Sequence, residues 1–506
     1  MINQRIFGVS EIHLNFGGFR KPRNRMEIPK EIKTIISKLK KRGFEAYVVG
    51  GCVRDILRGI VPHDWDVATN AKPEEIQKIF PKNFYENKFL TVAVQTGSKT
   101  PATKEVEITT YRSESKYTDK RHPDEVKYAK TIQEDLARRD FTINAIALDD
   151  DKTIDPFSGQ KDLKDKIIRA VGVAQDRFAE DALRMMRAVR LATALDFTIE
   201  EKTAIAIKKN ASLLKVISKE RIRDELVKII IAAKAAQGIE MLRELGLLKY
   251  VIPELEEGYQ VTQNKHHVYE CYEHALFSLK YAAQQGFNIY VRMAALLHDI
   301  GKPKSKKGEG ENATFYNHEM IGAKMTDQLL TRLRFSQKDV EKITKLVRYH
   351  LFYYNVDEVT ESSVRRLVRQ VGPEDMAELL QVRMCDRIGS GVPKAEPYKL
   401  RHLKYVIDKV SQDPISVRML KVTGNDVMKE LDILPGPKIG HYLDILLGNV
   451  LNDPKKNKKE LLIKEIATLG KLTEKELSVL AQKAKKEREK VVVKQDEMTK
   501  QKYWVS

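Results

Sequence analysis

Two carboxylates two residues apart, Asp64 and Asp66, follow a glycine pair, Gly50 and Gly51, and an arginine, Arg54, within one short stretch. Glycines where a strand passes into a helix let backbone N–H groups approach phosphate oxygens, and the helix start adds partial positive charge. Arg54 can add a bidentate contact. On an extended segment a spacing of two puts both carboxylates on one face. Hard oxygen ligands beside a phosphate cradle fit Mg²⁺ and nucleotidyl transfer. A lone Asp-x-Asp is mostly a solvated turn and a lone Gly-Gly mostly a loop, but their order and close spacing here favour chemistry. Two-metal phosphoryl transfer calls for a third carboxylate, and Glu105 or Glu107, on the alternating stretch 105–111, can supply it.

Three further sets of residues carry chemistry. Arg138, Arg139, Asp140 and Asn144 can bind phosphate and ribose; the plain alternative is a charged helix surface. Arg184, Arg187 and Arg190 recur every three residues after Asp181, which predicts a ridge on one long helix beginning at Glu180. With little acid to compensate it, the ridge is expected to face an anion. His274, His298, Asp299, His318, His350 and Asp386 lie between residues 261 and 390. On successive helices such groups can converge on a divalent metal. Any one of them alone would be an ordinary core or surface residue, but the run His298-Asp299-Ile300-Gly301 after an apolar segment favours a metal site. His266 and His267 fall outside the pattern and receive no role.

The elements that must position these groups are legible in the spacing of apolar residues. Ile32, Ile35, Ile36 and Leu39 mark one face of a helix that Gly43 closes. Residues 46–49 read as a buried strand and 53–57 as a short helix ended by Gly59. Residues 73–80 read as a helix opened by proline, and 89–96 and 105–110 as paired strands of one sheet. A polar connection over 113–126 is expected to be mobile. From about Gly172 the strand signal vanishes and the chain reads as helical. Helices are expected from Ser218 through Ala232 and from Ile239 to Leu245. Later ones are capped at Thr423 and entered at the turn 434–440.

The whole chain has 506 residues, enough for several domains, and a net charge of +19, which a polyanionic partner explains most simply. Three dispersed cysteines, Cys52, Cys271 and Cys385, show no zinc spacing and fit a reduced cytosolic compartment. No apolar run approaches membrane-spanning length, and the first 25 residues lack a signal-peptide core. They read as a basic extension. The lysine-rich stretches 455–464 and 483–494 fit backbone binding of RNA, or simply solvated helices.

Residues 50–55, 64–66, 138–144 and 180–190 together resemble, in order and wording, the class II tRNA nucleotidyltransferases: the CCA-adding enzymes, with bacterial poly(A) polymerases as close relatives. The resemblance covers roughly residues 30–260. It implies an α+β fold, with a small mixed-sheet head followed by an elongated all-α neck, body, HD domain and tail. It implies Asp64, Asp66 and Glu107 as the catalytic carboxylates that bind Mg²⁺, and Gly50, Gly51 and Arg54 at the triphosphate. Arg139, Asp140 and Asn144 would surround nucleotide and ribose, Asp181 and Arg184 would read the incoming base, and Arg187 and Arg190 would assist. Cytosine and adenine each show an exocyclic amine donor beside a ring-nitrogen acceptor, which a carboxylate and a guanidinium together match; uracil and guanine present the reverse. The histidines resemble those of HD metal-dependent phosphohydrolases. There His274, His298, Asp299 and Asp386 would be core ligands, and His318 and His350 the extra ligands of two-metal members. That donor set favours Ni²⁺, Mn²⁺, Fe²⁺ or Co²⁺.

The expected organisation is a basic extension over 1–29, the nucleotidyltransferase head over 30–170, a helical neck and body over 171–260, the HD domain over 261–392 and a basic, RNA-binding tail over 393–506. The expected partners are tRNA, CTP and ATP, in the cytoplasm and without membrane. An enzyme adding only A shares these motifs and remains open. The loop 113–122 resembles one that CC-only relatives lack. Residues 87–91 lack the basic signature of the poly(A) polymerase branch. A protein that is mainly an HD phosphohydrolase with a degenerate head fits less well, because Asp64, Asp66 and Glu107 are intact.

Overall fold

The structure, a computed structural model, describes residues 28–86, 90–115, 125–149, 152–264, 268–411 and 417–505. Seven strands form one mixed sheet: β1 (Ala46–Val49), β2 (Asp66–Thr69), β3 (Asn83–Glu86), β4 (Thr91–Gln95), β5 (Glu105–Thr110), and, after the ribbon of β6 (Arg112–Ser115) and β7 (Glu125–Tyr128), β8 (Ala147–Asp149) and β9 (Lys152–Ile154). Their order is β3-β4-β5-β2-β1-β8-β9. Only β2 and β5 run parallel; every other neighbouring pair is antiparallel.

Both faces of this sheet are covered, which explains why its central strands are apolar on both sides rather than alternating. Val48 and Val67 pack with Ile32, Ile36, Val53 and Ile108 on one face. Val49 and Ala68 pack with Tyr111, Leu136 and Ala147 on the other. The helix Lys30–Lys41 buries the four residues its periodicity marks, and the chain turns out of it at Gly43. Each fully buried large apolar side chain contributes about 1.5–3 kcal/mol, so this core fixes the strand ends that carry the acids.

Two expectations change. The polar stretch 113–126 is not a plain connection, because the β6–β7 ribbon takes its two ends; residues 116–124 lie outside the described residues, as do 87–89, 266 and 267. The strand signal does not end at Gly172 either: β10 (Ile167–Ile168) pairs in parallel with β11 (Thr198–Ile199). Two-residue strands are too short for any alternation to show. Beyond them the chain is helical. Lys219–Ile231 follows Ser218, and Ala235–Glu244 stops just before Gly246. Gly424–Leu431 opens on a Thr423–Asp426 capping box, and Pro437–Asn452 opens on a proline.

The chain packs as two units. One holds the residues up to 259 with 283–289 and 328–336; the other holds 260–282, 290–327 and 337–506. No helix among the described residues is long and apolar enough to cross a membrane. The three cysteines are buried thiols outside any disulfide.

Candidate active site and a second metal-ligand cluster

Asp66 opens β2 and sits in register with two neighbours at once: Glu107 on parallel β5 and Val49 on β1, the residue before Gly50. Asp64 lies two residues earlier, in the exposed bend that leads into the strand, with buried Trp65 anchoring the turn between them. Burial pushes the Asp66 carboxyl up to about 6, and Glu107 and Asp64 add to that push while Arg139 opposes it. The three acids therefore feel one another. Among the described residues, however, the sets whose donor atoms all lie within 4.8 Å of one another belong to the histidine cluster, not to these acids. Glu105, the other acid on this strand face, is turned to Gln95, whose Nε2 donates to its Oε2.

Gly50 has φ +82° and ψ −141°, a backbone conformation that side chains disfavour. A Cβ there would lie 2.8 Å from Arg139 Nη1 and 3.4 Å from Asp66 Oδ2. Bare backbone thus lets the Arg139 guanidinium lie against the strand end beside Asp66. Arg54 donates from Nε and Nη2 to the Asp55 carboxylate, each at 2.9 Å, and from Nη1 to Asn144 Oδ1 at 2.9 Å. Asn144 Nδ2 donates in turn to Asp140 Oδ1 at 3.1 Å. Asp140 also takes the Phe141 N–H at 2.8 Å and pairs with Arg187 at 3.0 Å. Burial raises the Asp140 carboxyl, but Arg187 and Asn144 outweigh it and hold it below the usual range. One network therefore joins Arg54, Asn144, Asp140 and Arg187, residues that the sequence placed in three separate motifs.

Asp181 and Arg184, the pair expected to read the base, do not sit on the one long helix expected there. Residues 180–190 are not one helix: Ala174–Glu180 ends, Asp181 is extended at φ −135° and ψ 103°, and Leu183–Leu195 begins anew. Asp181 takes the Leu183 N–H at 3.0 Å and Arg221 Nη2 at 2.8 Å. Arg184 donates to Glu180 Oε2 at 2.7 Å and to the Arg138 carbonyl at 3.1 Å. Both side chains are buried. The arginine ridge does not lack compensating acid: Arg187 has Asp140, and Arg190 has Glu225 at 2.8 Å. Sequence reasoning missed Glu180, Arg221 and Glu225. Glu180 stood inside the quoted motif, but nothing in the spacing marks Arg221 or Glu225.

In the second unit, Asp299 is the hub. Its Oδ2 lies 3.1 Å from His274 Nε2 and 3.3 Å from His298 Nε2; its Oδ1 lies 3.3 Å from His318 Nε2 and 3.6 Å from His350 Nε2. Asp386 Oδ1 approaches His274 at 3.4 Å and His298 at 3.7 Å. Two triads, His274–His298–Asp299 and Asp299–His318–His350, share one carboxylate. Nδ1 of His298, His318 and His350 lies 2.9, 2.7 and 2.7 Å from the carbonyl oxygen three residues earlier. A carbonyl only accepts, so Nδ1 carries a proton and Nε2 is the nitrogen turned inward, the one a metal would take in place of any proton there. Burial works against protonating His298, but Asp299 and Asp386 outweigh it and raise it to about 10. The pocket is thus strongly cation-seeking, and its imidazoles and carboxylates fit a borderline transition metal. All six histidine and aspartate residues expected here come together. Lys302 was missed: its Nζ lies 2.6 Å from Asp299 Oδ2 and 2.6 Å from Gln263. Gly301 has no room for a side chain, since its Cβ would lie 2.3 Å from the His318 carbonyl oxygen.

Residues 46–169 match the family described as the poly A polymerase head domain. Residues 196–258 match the probable RNA and SrmB-binding site of polymerase A, and residues 267–390 match the HD domain. The CCA-adding enzyme of Ligilactobacillus salivarius (strain UCC118) is 35% identical over 457 residues, covering 87% of this chain and 98% of its own. An A-adding tRNA nucleotidyltransferase of Deinococcus radiodurans is 32% identical over 418 residues, covering 79% of this chain and 90% of its own. The crystal structure of the Bacillus stearothermophilus CCA-adding enzyme in complex with CTP is similar with a TM-score of 0.57 at 28% identity, covering 87% of this chain and 97% of that one. The likeness runs well past residue 260, the end of the stretch over which the sequence motifs carry the resemblance. With a polymerase-type head, an RNA-binding segment and an HD domain in this order, the chain belongs to the CCA-adding tRNA nucleotidyltransferase family.

Proposed function

We propose that this protein adds C and A nucleotides from CTP and ATP to the 3′ end of tRNA in the cytoplasm, without a nucleic-acid template. The observation that carries the proposal is the register of Asp66 with Glu107 beside Gly50 and Arg139. Asp64, Asp66 and Glu107 would hold Mg²⁺, which when bound offsets the charge that builds on the reacting phosphate. Gly50 and Gly51 leave backbone open to the triphosphate, and Arg54 and Arg139 supply positive charge beside it. Asn144 and Asp140 fix Arg54 and Arg187 around the ribose. Asp181 accepts the exocyclic amine of C or A and Arg184 donates to the ring nitrogen, once the incoming base replaces part of their present partners. In this reading residues 30–170 carry out the transfer, 171–260 select the nucleotide and 393–506 hold tRNA by shape and phosphate contacts.

The test is a tRNA transcript lacking CCA, incubated with labelled CTP, ATP or both. Incorporation of both nucleotides in order supports the proposal; incorporation of A alone, on a transcript ending in CC, would assign the A-adding activity that the Deinococcus relative's name carries. Asp64→Ala and Asp66→Ala should lower addition by at least about 10²–10³ while tRNA binding, which rests on distant basic surface, stays nearly intact. Addition near the wild-type rate in either variant would sink the metal assignment.

A second activity rests on the shared-carboxylate histidine cluster: the HD domain, over 261–392, hydrolyses phosphoesters with Ni²⁺, Mn²⁺, Fe²⁺ or Co²⁺. His298→Ala combined with Asp299→Ala should remove hydrolysis and leave C and A addition unchanged, with a thermal melt controlling for lost structure. Purified protein that binds none of these metals would reduce the domain to a scaffold.

A further inference from the structure

Arg177 and Arg184 share one carboxylate. Glu180 gives Oε1 to Arg177 Nη2 and Oε2 to Arg184 Nη1, the latter at 2.7 Å. Both guanidinia also reach the end of the same short helix, Ile132–Ala137. Arg177 Nη1 donates to the Ala137 carbonyl at 3.2 Å, and Arg184 Nη2 donates to the Arg138 carbonyl at 3.1 Å. The last carbonyls of a helix lack partners within it and carry partial negative charge, so they accept well from arginine. The main chain of Arg177 takes part too, since its carbonyl accepts from Arg184 Nη1 at 3.3 Å.

An arginine that reads a base must point at one ring nitrogen, and a freely turning side chain would have to give up its rotamers each time a nucleotide arrives. Glu180 can remove that freedom from Arg184 only if Glu180 is itself fixed. It ends the helix Ala174–Glu180, and the extended Asp181 follows, so its own helix does not continue around it. Arg177 supplies the fixing: it takes the oxygen that Arg184 does not, and is anchored in turn on Ala137. Without it the carboxylate would turn about its last, soft torsion and meet Arg184 with either oxygen. A guanidinium carries more N–H groups than these acceptors use, so Arg184 held in this way still has a donor for a ring nitrogen. Loss of Arg177 would not leave Glu180 without a partner, because Arg184 remains, and the Arg177 side chain is 21% exposed.

We propose that Arg177 is a specificity-determining positioning residue: it orients Glu180, and Glu180 aims Arg184 at a base that presents a ring-nitrogen acceptor. This rests on reading Asp181 and Arg184 as the base-reading pair. Arg177 acts through Arg184 and touches neither base nor phosphate, so its removal lowers selectivity and leaves tRNA binding in place.

The test compares kcat/KM for CTP with that for UTP on a tRNA transcript lacking CCA, and for ATP with that for GTP on one ending in CC. Each pair is measured on the same preparation, so the ratio does not depend on how much of the chain is folded, and lost stability alone cannot move it. Arg177→Met, which keeps the aliphatic stem, should lower the ratio about tenfold, the size of one charge-assisted hydrogen bond, with KM for tRNA within about twofold of wild type. Arg177→Lys keeps the charge and a donor for Glu180 and should recover part of the ratio. In an Arg184→Ala background Arg177→Met should change the ratio no further, because a positioning residue acts only through the residue it positions. A ratio that Arg177→Met leaves at the wild-type value, or one that falls as far again in the Arg184→Ala background, would overturn the proposal and leave the base-reading pair standing. If Arg184→Ala itself keeps the wild-type ratio, the base-reading assignment falls and the role of Arg177 falls with it.

Discussion

At the scale of single residues, Gly50 is constrained both by its backbone angle and by what lies against it. Its φ of +82° would cost a side-chain-bearing residue about 1–2 kcal/mol, and a Cβ would in addition meet Arg139 Nη1 at 2.8 Å. Gly50→Ala is therefore expected to lower the melting temperature by a few degrees and to cut nucleotide addition much more, because Arg139 must move from the site. A variant that loses stability but keeps its addition rate would show that Arg139 is not needed there. Asp181 and Arg184 invite a different measurement. Replacing either with alanine should lose discrimination against UTP and GTP by about tenfold or more, as well as rate, since one half of a donor–acceptor reader is gone. If both variants keep the same preference for C and A, the pair does not read the base. The acids themselves were legible in the sequence because a spacing of two on an extended segment is a strong local signal. What they touch was not. The cross-strand register places Glu107, not Glu105, beside Asp66, although both acids obey the same alternation.

At the scale of elements, strands and helices with a clear period fell where expected, from the helix Lys30–Lys41 to β5. The break between Glu180 and Leu183 did not, for a local reason. No proline or glycine marks it, and Ala182 and Leu183 suit a helix. The Asp181 carboxylate takes the Leu183 N–H for itself, a side-chain-to-backbone bond that competes with the helical one. The new helix then aims its arginines at acids from other elements, Asp140 and Glu225. Asp140 ties the segment 141–144 to the helix Leu183–Leu195, so its loss should be felt beyond its own segment. Asp140→Ala should destabilise the protein by about 1–3 kcal/mol, since the buried donors of Asn144 and Phe141 lose their acceptor. Arg187 keeps 39% of its side chain exposed and can turn to water, which keeps the cost below that of a wholly buried pair. Adding Arg187→Met should recover part of the loss in chemical denaturation; a strictly additive double variant would show that the pair is uncoupled.

At the scale of the molecule, the division into a mixed-sheet head and a helical remainder was readable from where the alternation stops. Which helical segments pack together was not, because those contacts join residues far apart in the chain. Arg332 Nη2 donates to Glu254 at 2.9 Å, and Arg223 donates to the Arg334 carbonyl. Neither Arg332 nor Arg334 lies in a motif, and periodicity carries no information about a partner 78 or 111 residues away. Through them the stretch 328–336 belongs to the first unit although the chain has already entered the second.

That detour has a consequence for synthesis. The unit that holds Asp64, Asp66 and Glu107 is not complete when residue 259 leaves the ribosome; its last segment ends at 336. At roughly 5–20 residues per second, the intervening stretch takes about 4–15 s to make, during which the nascent head and neck lack two of their own pieces. Stalled nascent chains exposed to protease should stay cleavable between 172 and 259 when arrested near 300 and become protected once 336 has cleared the exit tunnel; equal protection at both lengths would show that the first unit closes without its late segments. A transferase whose first-made half must wait for an insertion to be translated gives chaperones a window of several seconds in which to act.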